Sequence, residues 1–227
     1  MNKLNVLAEG YTEQSFAEKM LASYLGHENC RVLSRCITTS KDNRRGRVHR
    51  GGVPSYAKVK ADLTRWLKEC PDGDTRFTTM FDYYALPSDF PGFGESKKIA
   101  DVYERIRFLE GSFAKDIGDW RFVPYIQLHE FESLIFVAPQ ELGWTYIEND
   151  AAIGNLVEIA NEFGCRPELI NNGPDTAPSK RILNEIPEYD KVVAGVDTLE
   201  LIGIDKLKSS CPHFAEWIDK LTSLFPA

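Results

Sequence analysis

Five acidic side chains stand where alternating strands and helices would deliver them to one place. Glu9 closes the apolar run Leu4-Asn5-Val6-Leu7-Ala8 and is followed by Gly10-Tyr11-Thr12-Glu13, a turn into a helix whose threonine suits a cap. Asp82 closes a second run, Arg76-Phe77-Thr78-Thr79-Met80-Phe81, and Glu130 and Glu132 follow a third that ends at Leu128-His129. In an open α/β sheet the carboxyl ends of the strands face the ligand crevice, so acids there are placed for chemistry. Glu13, one helical turn on, is able to lean back toward Glu9. Like charges gathered at one edge repel and desolvate badly unless a cation compensates them. The cation that fits is Mg2+ or Mn2+, which prefer oxygen ligands. Two such ions roughly 3.5 to 4 Å apart activate the attacking water and stabilise the leaving oxygen in phosphodiester cleavage. The competing reading is capping: an acid near a helix N-terminus gains about 0.3 to 1 kcal/mol from the dipole, and Glu13, Glu130 and Glu132 all stand at expected helix starts. Capping explains any one acid equally well; their joint occurrence favours the metal.

Other residues add weaker signals. Lys180 follows Pro178-Ser179, which puts a cation in a helix's first turn against the dipole and suggests a carboxylate or phosphate to offset it. Ser179 reads as a cap rather than a nucleophile, since no base stands beside it. His129 and His213 read as structural. Arg44, Arg45, Arg47 and Arg50 lie in a stretch with Gly46, Gly51 and Gly52, an irregular basic loop and the densest positive segment for a nucleic-acid backbone. Tyr56, Tyr83, Tyr84, Phe90 and Phe93 are candidates for base stacking, although aromatics so placed are more often core.

The elements that must position these groups follow from periodicity. Strands are expected near 4–8, 31–37, 76–84 and 121–128. Helices are expected over Phe16 to Leu25, over Tyr56 to Leu67, and from Ile99 to a stop near Gly111-Ser112. Beyond residue 128 the pattern is helical. The expected fold class is therefore α/β, a mainly parallel central sheet of about four strands flanked by helices. The expected organisation is a single domain over 1–227, with an α/β core over 1–128 and a mainly helical extension over 129–227.

Composition bounds the function. A chain of 227 residues that is 43% hydrophobic is long enough for one sizeable core. A net charge of −7 argues against a protein that coats nucleic acid through its overall field. Five scattered cysteines without a C-x-x-C pair indicate neither a zinc ribbon nor a disulfide framework. No apolar stretch reaches the roughly 18 residues of a membrane span, and Met1-Asn2-Lys3 leads directly into a strand. A cytoplasmic protein with reduced thiols is expected.

The motifs also carry a resemblance. Ala8-Glu9-Gly10-Tyr11-Thr12-Glu13 resembles the V-E-G-x-T-E signature that opens the Toprim domain of overcoming-lysogenization-defect (OLD) nucleases. Phe81 to Pro87, Asp89 to Gly92, Gln127 to Glu132, Gly173 to Arg181 and Cys211 to Phe214 resemble the bacterial domain-of-unknown-function family 4276, and that likeness spans nearly the whole chain. The resemblance implies a Toprim-like fold, Mg2+ or Mn2+, and an endonuclease acting on DNA or RNA in anti-phage defence with a separate ATPase of AAA or ABC type. Glu9 would match the first Toprim glutamate, as general acid/base or metal partner, Glu13 the second acid, and Asp82 the first aspartate of the D-x-D pair. Lys180 is similar to the lysine near the scissile phosphate. Tyr84 occupies the second aspartate's place, with Glu130 or Glu132 as the expected substitute. The alternative is a non-catalytic Toprim-like module that binds nucleic acid or protein. No G-x-x-x-x-G-K-[ST] loop occurs, so an ATP-driven step would need a partner; a homo-oligomer is compatible.

Overall fold

The computed structural model describes residues 2–27, 29–37, 40–42, 47–49, 53–170, 173 and 176–225, with the backbone alone at 40–42 and 47–49. The chain divides into two compact units, 1–126 with 225–227, and 127–224.

The first unit is built on β1 (Asn2–Ala8), whose Leu4, Val6, Leu7 and Ala8 are all sealed from solvent. Burial on both faces is the signature of a central parallel strand. The chain turns into α1 (Tyr11–Phe16), passes through a π turn at Ala17–Leu21 and continues as α2 (Ala22–Gly26). Phe16, Met20, Leu21 and Leu25 form the buried stripe that their spacing predicts. β2 (Cys30–Cys36) then pairs parallel to β1.

The basic stretch is not wholly irregular: β3 (Ser40–Asp42) and β4 (Arg47–His49) pair antiparallel. A short ribbon held by main-chain bonds leaves no apolar alternation to read, which is why the segment passes for a loop. Arg44, Arg45 and Arg50, and the Arg47 side chain, lie outside the described residues.

α3 (Tyr56–Glu69) ends before Pro71, and β5 (Thr75–Asp82) returns to pair parallel with β1, Ala8 opposite Met80. A loop containing α4 (Phe93–Ser96) leads to α5 (Val102–Ile117). This helix runs through Gly111 rather than stopping there. A helical glycine costs only about 1 kcal/mol against alanine, less than the roughly 2 to 3 kcal/mol from burying Phe113 beyond it. Phe113 is fully buried and makes ring contacts with Tyr56, Phe81, Phe90 and Phe122. The helix ends at Gly118, whose φ of 68° is the left-handed cap that glycine permits.

The expected strand over 121–128 is split by Pro124 into β6 (Phe122–Val123) and β7 (Ile126–Gln127). Proline has no amide to donate, and the ladder is repaired by a side chain. The Thr79 hydroxyl accepts the Tyr125 N–H and donates to the Tyr125 carbonyl, each at 3.0 Å. Buried Glu110 takes the next amide, that of Ile126, at 2.9 Å. The sheet order is β2-β1-β5-β6, with β7 pairing β5. This is the expected α/β architecture of a mainly parallel sheet flanked by helices, with five strands where about four are expected.

The second unit is helical. Two 3-10 segments, Phe131–Val137 and Pro139–Trp144, precede α6 (Asp150–Glu162), α7 (Pro178–Glu185), α8 (Val196–Ile202), α9 (Ile204–Ser210) and α10 (Pro212–Ser223). Leu134, Leu156, Ile182, Leu199, Phe214 and Trp217 belong to its core. Among the described residues no helix is long and apolar enough to cross a membrane.

Gly92 tests the packing around α5. Its φ is +76°, and an added Cβ would lie 2.7 Å from Ser112 Oγ and 2.8 Å from the Phe108 ring, whereas at Gly118 (φ +68°) the nearest atom is 3.9 Å away. Gly118→Ala is expected to cost about 1 to 2 kcal/mol of backbone strain, and Gly92→Ala a further 1 to 3 kcal/mol or so of overpacking. Urea unfolding measures both; equal losses would remove the steric part of this account.

Candidate carboxylate site

The first unit brings three of the expected acids to the ends of two adjacent strands. Parallel pairing of β1 with β5 continues one step past the strand, with the Glu9 N–H donating to the Met80 carbonyl at 3.1 Å. Glu9 Oε2 then accepts the backbone N–H of Asp82 at 3.0 Å. One turn later, Glu13 Oε2 accepts the Gly10 N–H at 2.8 Å. Glu13 and Asp82 are buried, and Glu9 is half-buried. The β1–α1 turn and the end of β5 are thus joined by the Glu9 carboxylate, while Glu13 closes the helix start in the way a capping box does.

The neighbouring motif residues serve the scaffold. Asp89 accepts the Tyr56 N–H with both oxygens, at 3.0 and 3.1 Å, at the first residue of α3. Phe90 is buried against Tyr56 and Phe113. Tyr84, by contrast, is 49% exposed, as is Tyr11.

The remaining candidates lie in the second unit. His129 takes a left-handed backbone, φ 63°, and is buried. Glu130 Oε2 accepts the Ser179 N–H at 2.9 Å, in the first turn of α7. The expected cap of that turn is therefore a carboxylate supplied from elsewhere in the chain, and not the Ser179 hydroxyl. Lys180, the next residue, is exposed. Glu132 is fully buried and sits 3.1 Å from the Lys191 ammonium, a partner that no motif or spacing announces. Burial pushes the Glu132 carboxyl above its ordinary range; Lys191 opposes the shift and Glu130 adds to it. The same charge, after burial itself, helps to push the Tyr189 phenol far up.

Among the described residues, no three His, Cys, Asp or Glu side chains are grouped so as to hold a metal ion. Glu9, Glu13 and Glu130 each give one carboxylate oxygen to a backbone amide. Glu9 and Asp82 stand at two neighbouring strand ends, joined through the Asp82 amide. All five cysteines are free thiols, and burial pushes the Cys30 thiol up to about 11, away from thiolate chemistry.

Comparison with protein-family models matches residues 8–222 to a domain of unknown function, DUF4276. The chain belongs to the DUF4276 family. No curated protein and no solved structure matches the chain. The DUF4276 match takes in residues of both units.

Glu132 yields a pH prediction. A carboxyl whose folded pKa is raised contributes stability that is fully present below its unfolded value, near 4.5, and is lost as pH rises through the folded value. Glu132→Gln removes that titration. The stability of the Gln variant relative to wild type is expected to increase between pH 4 and pH 8, read as the difference between urea unfolding free energies. A difference that shrinks over that range would contradict the direction given.

Proposed function

We propose that this chain is a divalent-metal-dependent phosphodiester hydrolase, a nuclease of Toprim type, centred on Glu9 and Asp82. The observation that supports it is the 3.0 Å bond from the Asp82 amide to Glu9 Oε2, which pins two acids together at the ends of adjacent parallel strands. Mg2+ commonly takes only one or two protein carboxylates, with water and substrate phosphate filling the other positions. A pair of acids without a third is compatible with that mode of binding. When bound, such an ion polarises the phosphoryl oxygen and lowers the pKa of a bound water.

The chain's own contribution is position. Glu9 is oriented by a main-chain donor, and Glu13 secures the turn that follows it. The likeness of Ala8 to Glu13 to the OLD Toprim signature supports the same assignment. Lys180, exposed at the start of α7, is proposed as a phosphate contact on that likeness. So are the separate ATPase, the role in phage defence and the cytoplasmic setting. Tyr84, standing where the Toprim pattern has its second aspartate, favours one alternative, a Toprim-like module that binds nucleic acid or protein without turnover.

The deciding experiment is cleavage of plasmid, single-stranded DNA and RNA with Mg2+ or Mn2+ by wild type, Glu9→Gln and Asp82→Asn. Both substitutions are expected to lower the rate by about 100-fold or more, roughly 2.7 kcal/mol. Glu9→Gln keeps a carbonyl to accept the Asp82 amide, so its unfolding free energy should stay within about 1 kcal/mol of wild type. Nucleic acid bound without turnover by wild type under either metal would give the binding module instead.

A further inference from the structure

We infer that the second unit carries a docking surface for a basic, amphipathic segment of another protein, built from the exposed apolar side chains Trp144, Ile147, Val192 and Val193 and the acids that stand among them.

Two stretches far apart along the chain are held together here. The Tyr146 hydroxyl accepts the Asp190 N–H at 2.9 Å, and the Asn149 side-chain amide donates to Glu188 at 2.8 Å. The Tyr146 and Tyr189 rings meet with their centroids 6.5 Å apart, and Tyr189 is buried. Asp190 then turns the chain, its Oδ1 accepting the amides of Val192 and Val193 at 2.9 and 3.0 Å. Trp144 and Ile147 stand two residues and one residue from Tyr146, and Val192 and Val193 two and three residues from Asp190. Consecutive Cα atoms are about 3.8 Å apart, so each of the four backbone positions lies within roughly 12 Å of one end of that junction. The side chains are 73%, 76%, 43% and 57% exposed. Large apolar groups left together in water mark an interaction surface, and tryptophan is among the residues enriched where binding energy concentrates.

The charges around the patch select the partner. Glu148 and Asp150 follow Ile147, Glu188 and Asp190 precede Val192, and all four acids are exposed. No lysine or arginine occurs from 122 to 165 or from 182 to 190, and the Lys191 ammonium lies 3.1 Å from buried Glu132. The Asn149 amide holds the Glu188 carboxyl below its ordinary range, so it is ionised at neutral pH. Like charges brought against such a rim are repelled, whereas opposite charges speed encounter and fix register. Nucleic acid and an anionic bilayer are thus disfavoured. So is a second copy, which would set the same acids face to face in a two-fold contact. A segment with apolar side chains along one side and lysine or arginine beside them matches both halves of the surface. Four side chains make a footprint suited to a short segment and not to a whole domain face.

The test is fluorescence anisotropy with the full chain and two labelled synthetic helices of about 14 residues, with the same leucine positions and either lysine or glutamate at the others. The lysine peptide is expected to bind about tenfold or more tightly than the glutamate peptide. Trp144→Ser/Ile147→Ser is expected to weaken the lysine peptide by about tenfold or more, and Val192→Ser/Val193→Ser to act in the same direction. Glu148→Gln/Glu188→Gln, which keeps an oxygen for the Asn149 bond, is expected to weaken it by about fivefold. Glu95→Gln/Glu104→Gln, the same loss of charge from exposed acids of the first unit, should leave it within about twofold of wild type. Equal weakening by the two charge variants would reduce the effect to net charge and overturn the inference, as would serine variants that bind like wild type. Dimerisation of wild type that is lost in the serine variants would give the patch to a second copy. Co-sedimentation with phosphatidylserine vesicles that is lost in them would give it to a membrane, and either result overturns the inference. None of these readouts involves cleavage, so the nuclease reading stands or falls separately.

Discussion

The interaction on which the structure most depends is a carboxylate oxygen accepting a main-chain amide. In the first unit Glu9 takes the amide of Asp82, Glu13 that of Gly10, Asp89 that of Tyr56 and Glu110 that of Ile126. In the second, Glu130 takes Ser179, and Glu168 takes both His213 and Phe214 at 3.1 and 2.9 Å. Strand ends and helix starts leave amides with no partner in their own element, and a buried amide left alone costs about 1 to 3 kcal/mol. An ionised acceptor makes the stronger kind of bond. The acidic composition of this chain is in part the set of acceptors that its turns require.

That constraint sharpens the question of what the acids are for. Capping and metal binding predict the same residue types at the same places, because both draw on the edge where strands give way to helices. The two uses are not exclusive, since a carboxylate has two oxygens. Glu132 is a different case. It is fully buried, its nearby cation is Lys191, and burial holds its carboxyl toward the neutral form. Its carboxyl faces a side-chain cation, Lys191, where Glu9, Glu13 and Glu130 accept main-chain amides.

Much of this was legible in the sequence because it rested on period and punctuation. The buried run of β1, the stripe of Phe16, Met20, Leu21 and Leu25, and the turn at Pro71 all follow from local rules. The acids at the ends of β1 and β5 were placed by the same reading. Where local rules failed, a non-local term had intervened. Burial of Phe113 carried α5 past Gly111, and the Thr79 hydroxyl let the chain break at Pro124 without losing the sheet. Main-chain pairing of β3 with β4 left no side-chain pattern at all. Lys191 was invisible because its partner Glu132 is far away along the chain, and an ion pair has no period.

The bond from the Asp82 amide to Glu9 has one more consequence. Because the donor belongs to the peptide and not to a side chain, any residue except proline at position 82 offers the same anchor. The orientation of Glu9 is thus insulated from changes in its neighbour's chemistry. A chain with another side chain at position 82 would keep the same backbone trace and the same glutamate pose as this one. Superposition would not separate the two; only the identity of the side chains at the rim would.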